Sequence, residues 1–179
     1  MLNTPVDVAL LEQMKTNTGD NLLALSSRKP VLLVFLRHFG CTFCREALND
    51  ISKQKKFIES TGTQIVFVHM TDNETAERYF TRYNLNDSVH VSDPDCHYYA
   101  AFGLTKGTLT QLFGLHSWIR GFNSSVMQGH GVGPLLGDGF QMPGVFVIQD
   151  GEIKDAFIHK LASDRPDYDG LIRNCCQVA

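Results

Sequence analysis

The chain has 179 residues, and its 16 basic and 19 acidic side chains give a formal net charge of −3. That length fits one domain, and a 43% share of hydrophobic residues excludes a disordered chain. The charge gives no electrostatic reason to bind nucleic acid or an anionic membrane, and five cysteines are too few, and odd in number, for a disulfide-stapled scaffold.

The first residues do not have the pattern of a secretory signal peptide. No basic stretch precedes a long apolar one, since the run Val8–Leu11 has only four residues. The longest apolar run, Val31–Leu36, is far shorter than the roughly 20 residues that a membrane-spanning helix needs. We therefore expect a cytoplasmic protein whose cysteines serve chemistry or metal binding.

The hydrophobic pattern of the first half predicts alternating helices and strands. Val6–Lys15 has helical spacing, and the type of the next element, Leu22–Leu25, stays open. Val31–Leu36 is apolar on both faces, which is typical of a buried parallel strand. The next predictions are a helix over 42–59, a strand over 64–69, a helix over 74–83 capped by Asp72 or Asn73, a short strand over 89–91, and a helix with Asp93 as N-cap and Pro94 at its first position.

The second half predicts a β-hairpin and a last helix. A helix is expected around 109–119 and a loop over 129–134. Val145–Ile148 and Ile153–Ile158 form the predicted hairpin, because Asp150-Gly151 is a typical turn. Pro166 is expected to begin a helix that runs to about Cys175, with a cap from Ser163 or Asp164.

The order of these elements predicts the class of fold. A βαβ unit followed by a hairpin and a helix gives an α/β fold with a mixed β-sheet flanked by helices on both faces. No repeat or linker divides the chain. Residues 1–179 are therefore predicted to form a single domain, with residues 1–18 as an N-terminal helical extension.

A CxxC motif, Phe39-Gly40-Cys41-Thr42-Phe43-Cys44, lies where the first strand ends and the first crossover helix begins. Cys41 is then at the helix N-terminus, where unpaired N–H groups and the helix dipole favour a negatively charged sulfur. The i, i+3 spacing lets Cys44 attack a mixed disulfide formed by Cys41 and release the reduced partner. Positive charge nearby comes from Arg37, His38 and Arg45.

Two other interpretations use the same cysteines: half of a zinc site, or two inert buried thiols. Zinc needs about four ligands, and neither Cys96-His97 nor Cys175-Cys176 supplies a second pair at metal-like spacing. The position at a strand-to-helix turn favours redox chemistry. We therefore predict a redox-active dithiol with no metal and no cofactor, since the glycines of 129–139 match no nucleotide-binding pattern.

Met142-Pro143 stands directly before the first hairpin strand. A proline at this position is either a cis proline that shapes a functional turn or an ordinary trans proline, and the sequence leaves both open. If that strand is antiparallel to the strand before the CxxC motif, Pro143 and the segment 159–165 lie beside the cysteines. Arg165 then either stabilises a thiolate or is an ordinary surface arginine.

These features resemble the thioredoxin-fold superfamily and, within it, the peroxiredoxin-like AhpC/TSA group whose members carry CxxC. The resemblance covers about residues 19–171, most of the chain. The segments that carry it are Val31–Glu46, Asp93-Pro94 with Phe102-Gly103-Leu104, and Gly144–Ile148 with its Asp150-Gly151 turn.

The sequence also departs from both families. If Cys44 is aligned with the peroxidatic cysteine of PxxxTxxC, Cys41 takes the threonine position and Arg37 the proline position. The arginine that peroxiredoxins place before the later core strand falls at Pro143. The motif also lacks the tryptophan and inner proline of thioredoxin's WCGPC, and the strand before it carries no buried acid.

The resemblance implies a thioredoxin-like (peroxiredoxin-like) fold and a thiol–disulfide oxidoreductase. We expect Cys41 to attack a substrate disulfide or oxidised thiol and Cys44 to resolve the product. The alternatives are a thiol peroxidase in which Cys44 is peroxidatic and Cys41 resolves, and a non-catalytic redox sensor or metal-binding module. Contacts to substrate are expected from Thr42, Phe43, Met142, Pro143 and Arg165.

The expected partners are protein or small-molecule thiols and disulfides, hydroperoxides in the peroxidase alternative, and a cellular thiol reductant. No nucleic acid or membrane partner is expected, and a homodimer is a candidate assembly. Cys96 is interpreted as packing, whereas Cys175 and Cys176 are either incidental thiols or groups that resolve a disulfide or link two chains.

Overall fold

The computed structural model describes residues 4–108 and 137–175. The helix expected around 109–119 and the loop expected over 129–134 lie outside the described residues. The strands are β1 (Thr4–Pro5), β2 (Val31–Phe35), β3 (Gln64–His69), β4 (Val89–Ser92), β5 (Gly144–Gln149) and β6 (Glu152–Ile158). The helices are α1 (Val8–Gln13), α2 (Leu22–Arg28), α3 (Thr42–Ser60), α4 (Asn73–Arg82), α5 (His97–Ala101) and α6 (Tyr168–Cys175).

The strands form one sheet in the order β1-β6-β5-β2-β3-β4. β2, β3 and β4 are parallel neighbours, and α3 and α4 are the crossovers that parallel pairing requires. β5 is antiparallel to β2, and β6 is antiparallel to both β5 and β1. The predicted mixed sheet is therefore confirmed.

Two apolar cores lie on opposite faces of this sheet. Leu32 and Val34 of β2 pack with residues of α3, α4 and α6. Leu33 and Phe35, which alternate with them, pack with residues of α1, α2 and α5. Because both faces of β2 are covered by helices, the strand is apolar throughout, and the prediction of helices on both faces is confirmed.

The N-terminal segment differs from the helix predicted over Val6–Lys15. Thr4–Pro5 is a short edge strand that pairs with β6, and α1 begins only at Val8. The Asp7 carboxylate accepts the Ala9 N–H (3.0 Å), which fixes that start. The segment after Gly19, whose type the sequence leaves open, is the helix α2. Asn21 caps this helix, because its side chain accepts the Ala24 N–H (2.8 Å).

The prediction that Asp93 is the N-cap of α5 is wrong, since this helix begins at His97. Cys96 has the left-handed backbone conformation (φ 56°), so the chain turns sharply before the helix. The Asp93 carboxylate still reaches the first turn, where it accepts the N–H groups of His97 (2.9 Å) and Tyr98 (2.8 Å).

The last helix also begins later than predicted, at Tyr168 rather than Pro166. Asp167 accepts the Gly170 N–H (3.0 Å), so the expected cap from Ser163 or Asp164 is wrong. Asp164 instead accepts the N–H groups of Lys160 and Leu161 (both 2.8 Å) and closes the turn after β6.

The predicted hairpin of β5 and β6 is confirmed. Asp150 and Gly151 form its turn with φ values of 53° and 74°. The two-residue hairpin turn whose twist matches that of the strands requires positive φ at both central residues. Asp-Gly is a common sequence for this turn because these residues adopt positive φ readily. Among the described helices, none has the length and apolar character needed to cross a bilayer.

A buried histidine pair links β3 to β4. His69 Nε2 and His90 Nδ1 are 2.9 Å apart, and both side chains are fully buried. Burial lowers the pKa of His69 to about 3, with a further contribution from His90, and burial also lowers the pKa of His90. Both rings are therefore neutral in the folded protein at pH 7.

We predict that this pair makes the fold sensitive to acid. An unfolded histidine binds a proton below about pH 6.5, whereas folded His69 does so only near pH 3. Between these values the unfolded state binds more protons, so the free energy of unfolding falls by about 1.4 kcal/mol per pH unit for each such histidine.

Urea denaturation at several pH values between 7 and 4.5 measures this dependence. His69→Gln is expected to reduce the slope by about one proton, that is about 1.4 kcal/mol per pH unit. The exposed His97, changed to Gln, is the control and should leave the slope unchanged. An unaltered slope in His69→Gln would contradict the prediction.

Candidate active site

The chain that leaves β2 is held firmly before it reaches the CxxC motif. The Leu36 N–H donates to the Val68 carbonyl oxygen (2.9 Å), and the buried Tyr99 hydroxyl donates to the Leu36 carbonyl oxygen (2.6 Å). The Phe39 ring then stacks on Tyr79, with centroids 4.6 Å apart. The motif therefore begins at a fixed position beyond the carboxyl ends of β2 and β3.

Cys41 is the N-cap residue of α3, with extended backbone angles. Its N–H donates to the His38 carbonyl oxygen (2.9 Å), and its carbonyl oxygen accepts the Arg45 N–H (3.2 Å). The thiol makes no capping hydrogen bond, so its sulfur is left for other contacts. Cys44 lies within the first turn of the same helix.

Arg37 supplies the main contact to the Cys41 sulfur. Its Nη1 lies 2.9 Å from Cys41 Sγ, and the side chain is only 7% exposed. Nε donates to the Gln141 carbonyl oxygen (3.3 Å) and Nη2 donates to that of Gly139, so the guanidinium is fixed from a second segment. A fixed charged donor at this distance stabilises a thiolate on Cys41.

Cys44 is in a different environment, although it is only three residues away. Its side chain is 3% exposed, and burial raises the pKa of the Cys44 thiol, with a further contribution from Cys41. Cys44 is therefore a neutral thiol at pH 7. Cys41, Cys44, Cys96 and Cys175 are all free thiols, and within the described ranges no cluster of three or more His, Cys, Asp or Glu side chains is arranged to hold a metal.

A cavity of about 30 Å³ opens beside Cys44, between α3 and the segments that flank β5 and β6. Since roughly 10–15 Å³ of such space holds one water molecule, the cavity has room for a small molecule. Burial lowers the pKa of His159, at its wall, to about 4, so this ring is neutral at pH 7. Other residues of the wall are Phe43, Glu46, Pro143 and Arg165.

The predicted substrate contacts differ in accessibility. Pro143 lines the cavity, and its peptide bond is trans, so the open question of a cis proline is answered. Phe43 is half-buried and packs on Met142. Thr42 and Met142 are buried, and the role of all these residues in substrate binding stays a prediction.

Arg165 lies at the cavity but bonds to α3 rather than to a cysteine. Its Nη1 is 3.4 Å from Glu46 Oε1, and its Nε donates to Asp50 Oδ2 (3.1 Å). The Glu46 side chain is only 4% exposed. Arg165 therefore neutralises a buried carboxylate and ties the segment after β6 to the CxxC helix.

Glu46 and the Arg37–Cys41 contact are the site features that sequence reasoning missed. At helical spacing Glu46 lies opposite Leu48, which predicts exposure, but the segment after β6 covers it. Arg37 was identified only as a nearby charge, because its contact depends on the path of the loop to Cys41. No local pattern signals either contact.

The sheet order, the flanking helices and a dithiol at the start of α3 define a thioredoxin-like protein of the peroxiredoxin type. The fold is similar to that of peroxidoxin BcpB from Mycobacterium tuberculosis, with a TM-score of 0.64 and 18% identity over 99% of this chain and 97% of that one. It is also similar to a putative thiol:disulfide interchange protein DsbE from Chlorobium tepidum, with a TM-score of 0.60 and 16% identity over 97% and 94% of the two chains.

The AhpC/TSA antioxidant enzyme model matches residues 50–161, which is more than half of the chain. The chain belongs to this family, so the resemblance and the thioredoxin-like fold are confirmed. The match begins after Cys44, so the CxxC motif lies outside it.

A curated relative, the thioredoxin-like protein AAED1, chloroplastic, of Arabidopsis thaliana, is 22% identical over 156 residues. The match takes in 83% of this chain and 62% of the relative, so the chain spans less than two thirds of the length of that protein.

The Arg37 contact predicts a loss of thiol reactivity when the charge is removed. Arg37→Gln should slow alkylation of Cys41 by iodoacetamide at pH 7 by about tenfold, because a charged hydrogen bond contributes roughly 1.5–3 kcal/mol. Peptide mass spectrometry after timed quenching measures the alkylation of Cys41 separately from that of the other thiols. Arg28→Gln, at an exposed ion pair with Asp20, is the control. Equal rates in Arg37→Gln and wild type would disprove the contact's role.

The Arg165 contacts predict a structural effect at this position. Arg165→Ala should lower the free energy of unfolding by about 1 kcal/mol, because a buried carboxylate loses a charged partner. The alkylation rate of Cys41 should not change, since Arg165 bonds to α3. Denaturation and alkylation of the same preparations test both statements, and a slower Cys41 with unchanged stability would instead indicate a direct role at the thiol.

Proposed function

We propose that the protein is a thiol–disulfide oxidoreductase in which Cys41 attacks and Cys44 resolves. The observation that carries the proposal is the different environment of the two thiols. Both thiols are buried, but Cys41 lies at a helix N-terminus with the Arg37 guanidinium on its sulfur, whereas burial raises the pKa of the Cys44 thiol. A nucleophile needs a stabilised thiolate, and a resolving thiol needs only to be close.

The first step is attack of the Cys41 thiolate on one sulfur of a substrate disulfide. The substrate S–S bond breaks, a mixed disulfide forms on Cys41, and the leaving thiolate takes a proton from water. Cys44 then gives up its proton and attacks the Cys41 sulfur, which releases the second substrate thiol. The substrate gains two electrons, and the protein is left with a Cys41–Cys44 disulfide.

Burial of Cys44 supports this order of events. Because its pKa is raised, Cys44 stays protonated while Cys41 reacts. The position of Cys44 in the first turn of α3 keeps it near Cys41 throughout. A cellular thiol reductant must then return the disulfide to the dithiol, and protein or small-molecule thiols and disulfides are the proposed partners.

A thiol peroxidase is the second candidate, and two observations favour it. The family is one of antioxidant enzymes, and the small cavity beside Cys44 has room for a hydroperoxide group. In that reaction the Cys44 thiolate attacks one peroxide oxygen, the O–O bond breaks, and a sulfenic acid and an alcohol or water form. Cys41 then displaces water and closes the same disulfide. The charged donor on Cys41 rather than on Cys44 favours the first candidate.

A non-catalytic redox sensor or metal-binding module is the alternative from another class. Zinc in stoichiometric amount in the purified protein would support metal binding and exclude the dithiol mechanism. The cytoplasmic location, the homodimer and the single domain over residues 1–179 stay predictions.

Single serine variants test the two enzymatic candidates. Cys44→Ser should accumulate a mixed disulfide on Cys41, and Cys41→Ser should lose at least about 100-fold in disulfide reduction, because the stabilised thiolate is absent. Reduction of a disulfide substrate with dithiothreitol as electron source, together with intact-protein mass, measures both. Cys96→Ser, half-buried on another helix boundary, is the control.

If the protein is a thiol peroxidase, the same two serine variants are expected to give the opposite result. Peroxide consumption that continues in Cys41→Ser, with a trapped sulfenic acid on Cys44, would assign the first attack to Cys44. Unchanged disulfide reduction in both serine variants would reject the oxidoreductase.

A further inference from the structure

The guanidinium of Arg37 is a buried positive charge, since only 7% of this residue is exposed. Among the described residues its nitrogens contact the carbonyl oxygens of Gly139 and Gln141 and the sulfur of Cys41. A carbonyl oxygen is a neutral acceptor, so the sulfur is the member of this set that can carry a negative charge. The ionisation of Cys41 therefore decides whether these contacts give the buried cation an ionic partner.

The position of the guanidinium is fixed independently of the cysteine. The segment 138–142, which supplies both carbonyl oxygens, is itself bonded to the segment 104–107. In one of these bonds the Gly107 N–H donates to the Phe140 carbonyl oxygen (2.7 Å). Arg37 thus keeps its acceptors on this segment when the sulfur changes its oxidation state.

Formation of a Cys41–Cys44 disulfide removes the negative charge from this arrangement. A disulfide sulfur is neutral, so the guanidinium stays buried beside a sulfur that no longer balances its charge. A thiolate that accepts a charged hydrogen bond is stabilised, whereas a buried charge that has lost its partner is costly. Both effects favour the dithiol over the disulfide, and a pair whose reduced form is stabilised has a high reduction potential.

We propose that Arg37 stabilises the Cys41–Cys44 dithiol against its disulfide and thereby limits the substrates to labile oxidised thiols; the inference rests on the function proposed above. Such substrates are sulfenic acids and exposed or strained disulfides, which accept electrons more readily than a structural disulfide does. Structural disulfides of folded proteins are then left intact. This role concerns the free energies of the reduced and oxidised forms and is separate from the rate of attack.

The test is a redox equilibrium with glutathione as the reference couple. Two glutathione molecules give two electrons and form a disulfide, and the Cys41–Cys44 bond breaks. Cys44 takes one proton, and the second proton enters the solvent when Cys41 stays ionised. Arg37→Gln should shift this equilibrium about tenfold toward the protein disulfide at pH 7, which corresponds to about 30 mV.

Acid quenching, alkylation and peptide mass spectrometry measure the reduced and oxidised fractions of the peptide that holds both cysteines. Arg28→Gln is the control, because Arg28 forms an exposed ion pair with Asp20. This variant should have the wild-type equilibrium.

The pH profile distinguishes the charge of Arg37 from a merely structural role. A protonated thiol is as neutral as a disulfide, so only ionised Cys41 gains from the guanidinium. The difference between wild type and Arg37→Gln should therefore widen as the pH rises from 6 to 8. A structural role of the side chain would give the same difference at every pH.

The other ionisable groups around the reactive thiol keep one charge state in this pH range. These groups are His38 before α3, Cys44 and Arg45 in α3, Asp138 before β5 and His159 after β6. Burial lowers the pKa of His38 and of His159 to about 4, so both rings are neutral. A hydrogen bond from Lys106 lowers the pKa of Asp138, which stays ionised, and burial raises the pKa of the Cys44 thiol. Arg45 stays positively charged.

A second measurement needs only the wild-type protein, so it remains possible if Arg37→Gln does not fold. Where folding favours the dithiol, closing the disulfide lowers the free energy of unfolding, since the two equilibria are linked. The oxidised protein should therefore unfold at a lower urea concentration than the reduced protein. An oxidised form that is more stable than the reduced form would overturn the proposal.

The remaining outcomes separate this inference from the function on which it rests. If oxidation forms no Cys41–Cys44 disulfide, the proposed function fails and the inference fails with it. If the disulfide forms but Arg37→Gln leaves the equilibrium unchanged, or shifts it toward the dithiol, only the role of Arg37 is rejected. A difference that is equal at pH 6 and pH 8 also rejects that role.

Discussion

The candidate active site depends on the guanidinium of Arg37, which joins two segments that are distant in sequence. One end contacts the Cys41 sulfur, and the other bonds to the carbonyl oxygens of Gly139 and Gln141. These segments meet because β2 and β5 are antiparallel neighbours, so the end of one strand lies beside the start of the other. Gln141 is fixed in turn by a bond to the Leu104 carbonyl oxygen (2.9 Å). The charge beside the sulfur is therefore a consequence of strand order.

The motif sets two chemically equal thiols in unequal surroundings. Both side chains belong to the same apolar core, but Cys41, at the N-cap, contacts the Arg37 guanidinium, whereas Cys44 lies inside the first helical turn. Three residues thus separate a thiol that contacts a guanidinium from a thiol whose pKa is raised by burial. The alternative in which Cys44 reacts first needs deprotonation of the buried group, which burial opposes.

The sequence predicted the features that local patterns encode. Apolar runs gave β2 and β3, Asp150-Gly151 gave the hairpin turn, and the place of the CxxC motif followed from the order of elements. It could not predict the partners of Arg37 or the burial of Glu46, since both arise from segments about 100 residues further along the chain. The predicted start of α5 was wrong because Asp93 lies before the helix and still accepts the N–H of its first residue, His97. The chain between them turns at Cys96, which has a positive φ.

The side chains in the first turn of α3 have different neighbours. Successive side chains of a helix point about 100° apart, so Arg45 points away from the side of α3 that Cys44 and Glu46 flank. Cys44 and Glu46 border the small cavity covered by the segment after β6, whereas Arg45 turns toward α4, where its Cζ lies 5.8 Å from the ring centroid of Tyr79. The small cavity thus lies beside Cys44, whereas the Cys41 sulfur is contacted by the Arg37 guanidinium, so two thiols one helical turn apart have different neighbours.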